Sequence, residues 1–163
     1  MRYYRSIVPL LIILMLAVTV APGCKKSREK KANYTITTTG AKDTTLTGKA
    51  HLFFTQSNFF GVKVQTLSVE LEGDGADYIT IDFYSSNDEE VLLERKFTVN
   101  GSSNYWVEVT AYIDGVEYYV DSGLPGYVEL TKASKTRVDG TIMLNMYGNA
   151  ALEMSGNFEA YDY

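Results

Sequence analysis

Val109-Thr110-Ala111-Tyr112-Ile113-Asp114-Gly115-Val116-Glu117-Tyr118-Tyr119-Val120 is the stretch that decides the fold. Asp-Gly between two alternating runs is the signature of a two-residue type I′ hairpin, because both central residues of that turn need positive φ. Folding the chain about it sets Ile113 opposite Val116, Ala111 opposite Tyr118 and Val109 opposite Val120, all on one apolar face. The other face pairs Tyr112 with Glu117 and Thr110 with Tyr119. A slip of one residue would turn every apolar side chain outward, so the register is strongly specified.

The same period of two recurs on both sides of this hairpin. Leu46, Gly48, Ala50, Leu52 and Phe54 share one phase, against Thr45, Thr47, Lys49 and His51 on the other. Leu67, Val69 and Leu71 mark another strand, and Ile79, Ile81 and Phe83 a further one. A second hairpin is expected around Gly148-Asn149-Ala150, aligning Leu144 with Met154 and setting Gly140 opposite Phe158. A glycine facing a large ring gives that ring room to lie across the strand. Ser86-Asn87-Asp88-Glu89 has capping-box spacing and allows a short helix over 87–96. A strand there would put Val91, Leu93, Phe97 and Val99 on one inward face but turn Arg95 the same way, so a loop followed by a strand is the preferred reading. Thirteen tyrosines, three prolines and spaced glycines favour strands separated by turns. The expected fold is all-β: one antiparallel β-sandwich or flattened barrel of about eight to ten strands over residues 32–163.

Upstream of that domain the pattern changes. Arg2 and Arg5 precede a 14-residue apolar run, Ile7 to Val20, and Ala21-Pro22-Gly23 leads to Cys24, the single cysteine of the chain. Basic start, short apolar core and small-residue exit are the parts of a secretory signal. With cysteine at the cut, the segment resembles a bacterial lipoprotein signal, although Ala21 stands where such signals usually carry Leu or Val. The resemblance implies removal of residues 1–23 and acylation of Cys24 by a diacylglyceryl thioether and an N-acyl chain, palmitate being the label of choice. Two or more acyl chains hold a protein firmly where one does not. The alternatives are a membrane-retained helix, for which the run is short and carries Pro9, and a plain cleaved signal with a free thiol. From Gly126-Tyr127-Val128-Glu129-Leu130-Thr131-Lys132 through Val138-Asp139-Gly140-Thr141 to Met154-Ser155-Gly156-Asn157-Phe158, the chain resembles the closing hairpins of small β-sandwich lipoproteins. That resemblance implies fold and location and carries no catalytic signature.

Charge divides the chain sharply. Residues 24–31 form a basic tether with Lys25, Lys26, Arg28, Lys30 and Lys31 against Glu29, suited either to anionic headgroups or to a solvated spacer. Residues 32–163 keep eight basic and nineteen acidic side chains, a formal balance of −11, which argues against nucleic acid as a partner. Lys25 follows the cysteine where, in lipoproteins of two-membrane bacteria, an acidic residue favours inner-membrane retention. The expected location is therefore the outer membrane.

A search for chemistry returns mainly absences. His51 is the sole histidine, so neither a two-histidine metal site nor a plausible Ser-His-Asp triad can be assembled. With Cys24 acylated, no thiol remains for catalysis or metal. No cofactor is expected, and an enzymatic reading through paired acids is the least supported. Glu72, Asp74 and Asp77 cluster in a glycine-rich loop that could offer oxygens to Ca2+, without EF-hand spacing. Trp106, Tyr112 and Tyr119 fall on the polar face of the Asp114-Gly115 hairpin beside Glu108 and Glu117, a combination that suits sugar stacking or a protein partner. The ordinary alternative is that another sheet or loop covers this face. Trp106 would then be core, and Trp106→Ala would cost about 3–5 kcal/mol. The sequence thus points to a non-enzymatic binding or accessory lipoprotein holding a glycan or envelope protein, or alternatively to a lipocalin-like carrier of a small apolar ligand.

Overall fold

Wherever apolar and polar residues alternate, the chain is extended, and no helix occurs among the described residues. The computed structural model describes residues 33–59, 61–86, 90–99 and 104–162. The signal segment 1–23, Cys24 with the basic tether 24–31, and the capping-box residues Asn87, Asp88 and Glu89 lie outside the described residues. Ten strands follow one another: β1 (Asn33–Gly40), β2 (Thr44–Phe59), β3 (Val62–Glu72), β4 (Tyr78–Ser85), β5 (Arg95–Thr98), β6 (Tyr105–Ile113), β7 (Val116–Val120), β8 (Tyr127–Ala133), β9 (Arg137–Tyr147) and β10 (Ala151–Tyr161).

Eight of them close on themselves. Antiparallel pairing runs from β1 through β2, β3, β4, β6, β7, β9 and β10, and β10 returns to β1. The architecture is a closed antiparallel β-barrel, which leaves few unpaired edges. β5 and β8 are additions to it. β7 is only five residues long and meets β9 at Tyr119↔Tyr147 and Val120↔Met146. The rest of that edge of β9, from Val138 to Met143, is taken by β8, on whose far side β5 pairs.

Both expected hairpins form in the expected register, except that Val109 and Val120 are not paired, because β7 leaves β6 there and Val120 pairs with Met146 of β9. Asp114 and Gly115 have φ of 52° and 79°, as a type I′ turn requires, and Ile113↔Val116, Ala111↔Tyr118, Tyr112↔Glu117 and Thr110↔Tyr119 are paired. Leu144↔Met154 and Gly140↔Phe158 are paired across Gly148-Asn149-Ala150. Residues 90–94 form no regular element and β5 begins at Arg95, as the loop-then-strand reading expects. Leu93 does not share the inward face of Val91 and Phe97. It is exposed, because the segment before β5 is a loop without strand alternation. Val91 is buried, and its N–H donates to the buried Gln65 Oε1 at 3.2 Å, fastening this loop to β3.

The barrel is filled by its own side chains. Leu67, Val69 and Leu71 of β3 and Ile79, Ile81 and Phe83 of β4 have no solvent-accessible surface at all, so no water-sized void adjoins them. Phe83 meets Phe97 of β5 edge-on, with ring centroids 4.9 Å apart, and Phe97 in turn meets Tyr105 at 5.8 Å. This contact packs the added β5–β8 pair onto the core. Arg95 shares the phase of Phe97, and its guanidinium lies 4.2 Å above the Tyr105 ring.

Candidate functional site

Because the apolar phase of each strand points into the barrel, the polar phase of β3, β4, β6 and β7 forms its outer wall. The register sets out that wall in rows. Glu72, Tyr78, Tyr112 and Glu117 lie side by side across the four strands, and Thr80, Thr110, Tyr119 and then Tyr147 of β9 form the next row. Asp82 faces Glu108 in the third row, and Tyr84 faces Trp106 in the fourth.

The rings meet in cross-strand pairs. Tyr78 stacks on Tyr112 at 5.5 Å, Tyr84 stacks on Trp106 at 5.1 Å, and Tyr119 lies 6.0 Å from Tyr147. Tyr78, Tyr119 and Tyr147 are 44%, 42% and 54% exposed. Among the described residues no sheet or loop covers them. The reading of this face as core is therefore corrected: in a closed barrel the polar phase faces solvent, and Trp106 is half-buried while Val107 points inward.

Of the three aromatic residues singled out in the sequence, Tyr112 and Tyr119 are diagonal neighbours. Trp106 lies six residues from Tyr112 along β6, roughly 20 Å away at the usual rise of a strand. Its Nε1–H donates to Glu108 Oε1 at 3.3 Å. Burial, the charges of Asp82 and Glu108 and a hydrogen bond to Glu108 all push the Tyr84 phenol up. Tyr119 is pushed up chiefly by its hydrogen bond to Glu117, with Tyr147 and Tyr78 contributing, so these hydroxyls sit within one field. With solvent on one side of the indole, Trp106→Ala should cost about 1 kcal/mol from the lost stack on Tyr84. A thermal melt should fall by only a few degrees, and a fall beyond about ten degrees would return Trp106 to the core.

Glu72, Asp74 and Asp77 do not converge. Glu72 Oε2 lies 3.3 Å from His51 Nε2. Asp77 Oδ1 accepts from the Asp114 N–H at 3.0 Å, and its carbonyl accepts from the Gly73 N–H at 2.9 Å. Asp74 is exposed, and no group of three His, Cys, Asp or Glu able to hold a metal occurs among the described residues. The calcium reading is corrected accordingly: the loop spends Asp77 on tying the 73–77 turn to the Asp114-Gly115 turn. Its carboxylates act instead on Tyr34, whose buried hydroxyl sits against Gly73.

Burial foremost, then Asp77 and Asp74, push the Tyr34 phenol up to about 12 from its ordinary 10. Below pH 10 it is neutral folded and unfolded. Above that, the unfolded chain ionises first, so stability should fall between about pH 10 and 12, by roughly 2 kcal/mol at the upper end. Alkaline melts of Tyr34→Phe should lack this component of the loss. An identical pH profile would contradict the assignment.

Two adjoining hollows continue the wall beyond Tyr147. The larger, of about 460 Å3, lies where the end of β1, the β9–β10 hairpin and residues 121–124 meet, and Tyr147 forms part of its lining. The second, of about 320 Å3, shares Thr39, Asn145 and Glu153 with it and reaches Pro125 and Met143. Asn145 Nδ2 donates to the Pro125 carbonyl at 2.9 Å and the Asp121 N–H to the Asn145 carbonyl at 2.8 Å, fixing the 121–125 segment as a wall. A separate slot of about 370 Å3 opens where β7 leaves β6, between Val99, Val107, Val109 and Val120, with Glu108 and Tyr119 at its rim.

Tyr78 and Tyr84 were detectable in principle, since they alternate with Ile79, Ile81 and Phe83. Tyr147 becomes a neighbour of Tyr119 only through the β7–β9 pairing, 28 positions on in the chain. No protein-family model, no curated protein and no solved structure matches this chain, so the reading of the site rests on its own residues.

Proposed function

We propose that the protein is a lipid-anchored, non-enzymatic binding module of the cell envelope. In this reading Cys24 carries the acyl chains, residues 24–31 form the basic tether, and the barrel displays its outer wall to a glycan or an envelope protein. Lys25 favours the outer membrane. The observation that carries the reading is the contrast between the two faces of one set of strands. The inward phase of β3 and β4 is fully buried, while the outward phase of the same wall exposes Tyr78, Tyr119 and Tyr147 beside carboxylates. Exposed aromatic surface of this kind on a filled scaffold is a recognition feature. The acidic balance of residues 32–163 disfavours nucleic acid. The carrier reading draws its support from the slot between Val107, Val109 and Val120, whose volume is at the small end of ligand sites.

Two measurements test the proposal. Cys24→Ser should leave the chain uncleaved and without radiolabelled palmitate, and uptake of label by that variant would overturn the anchor. The purified full-length protein should retain envelope material that Tyr78→Ala/Tyr119→Ala does not. Equal retention by both would remove the outer wall from recognition.

A further inference from the structure

The exposed tyrosines and the two hollows form one continuous path. From Tyr78 and Tyr112 it crosses Tyr119 to Tyr147, and Tyr147 itself lines the larger hollow. Four strands at about 4.8 Å spacing make the aromatic part roughly 15 Å long, about the length of three sugar rings. The hollows then continue the path across β9 and β10 towards the end of β1.

The chemistry along this path is mixed in a consistent way. Apolar surface comes from Tyr147, Leu124 and Met143, all exposed. Polar groups come from Thr39, Asn145 and Ser155, and carboxylates from Asp121 and Glu153. Among the described residues, no lysine or arginine lines either hollow. A ligand here must offer apolar C–H surface to the rings and many hydroxyls to the amide, hydroxyl and carboxylate groups. It must also carry no negative charge, because nothing in the lining would compensate it beside Asp121 and Glu153. Glu72 and Glu117 flank the aromatic part of the path as well, so a polycation is the competing ligand, and its binding, unlike that of a neutral chain, would be screened by salt.

We propose that this path is a binding cleft for a neutral glycan chain, lying over Tyr78, Tyr112 and Tyr119 and entering the hollow beside Tyr147. The proposal rests on the binding-module reading and names its ligand class. Tyr147 is the junction of the path, and Trp106 is not on it.

The test is a microarray carrying neutral β-glucan, xylan, mannan and arabinogalactan, with polygalacturonate and heparin as anionic probes and polylysine as a cationic one. The full-length protein in detergent should bind at least one neutral glycan, with little loss in 0.5 M salt, and neither anionic probe. Tyr147→Ala should weaken that binding at least tenfold with an unchanged melt, whereas Trp106→Ala should not weaken it. Binding to no neutral glycan, or neutral-glycan binding indifferent to Tyr147→Ala, would overturn the proposal. Salt-sensitive capture of polylysine alone, lost in Tyr147→Ala, would replace the glycan with a basic protein segment. If envelope material is still retained through Tyr78 and Tyr119 while every neutral glycan fails, the ligand class is wrong and the binding-module reading survives. Failure of both would remove both.

Discussion

Phe83→Ala should lower stability by about 3–5 kcal/mol, the usual cost of truncating a buried phenylalanine to alanine. Phe83 is fully buried on β4, between Leu67 of β3 and Val107 of β6. Its ring also meets Phe97 edge-on. The loss therefore combines transfer of a large apolar surface, a cavity the closed barrel cannot easily collapse, and a broken aromatic contact. β5 is tied by four paired residues to β8 and by Phe97 to the core. Its amides should exchange faster in the variant than those of β3 or β9. For a domain of this length the melting midpoint should fall by roughly 10–20 degrees. A fall of only two or three degrees would mean that the interior is loose enough to absorb the gap, and the carrier reading would gain.

Gly140→Ala should cost about 3 kcal/mol although it adds a single methyl group, because overpacking a close contact forces side chains or backbone to move. A Cβ at this position would lie 2.4 Å from Phe158 Cζ and 2.7 Å from the Glu129 carbonyl oxygen. The ring can yield, but the carbonyl belongs to the neighbouring β8 and cannot move without disturbing its pairing with β9. Phe158→Leu would remove the closer of the two obstacles. The double variant should then be more stable than the sum of the single losses implies, with a coupling of about 1 kcal/mol or more. Additive losses measured by denaturant titration would show that the ring does not lie over Gly140.

The Gly140–Phe158 contact was legible because both residues belong to one hairpin, where a short loop and an alternating pattern leave a single register. The same holds for the Asp114-Gly115 hairpin, whose turn chemistry needs nothing from the rest of the chain. β1 was harder to see. Its inward positions are Tyr34, Ile36 and Thr38, and its run of threonines favours a strand without marking a face. Closure was legible only as one of two choices, sandwich or flattened barrel, since it depends on β1 pairing with β10 from the far end of the domain. The site was divided in the same way. Tyr112 and Tyr119 are neighbours through a local hairpin, whereas Tyr147 and the hollows are assembled by long-range pairing. The carboxylate loop misled for a related reason: Asp77 finds its partner, the Asp114 N–H, 37 residues on. Proximity in sequence suggested three convergent oxygens where the fold uses them separately.

The central claim is that this barrel is packed inside and recognises its ligand outside. The measurement that tests it most directly is a melt and a glycan-array binding curve on one protein, Tyr78→Ser/Tyr119→Ser/Tyr147→Ser. All three rings are exposed, so the account predicts a midpoint within several degrees of the parent and complete loss of glycan binding. A variant that fails to fold, or one that folds and still binds as the parent does, would contradict it.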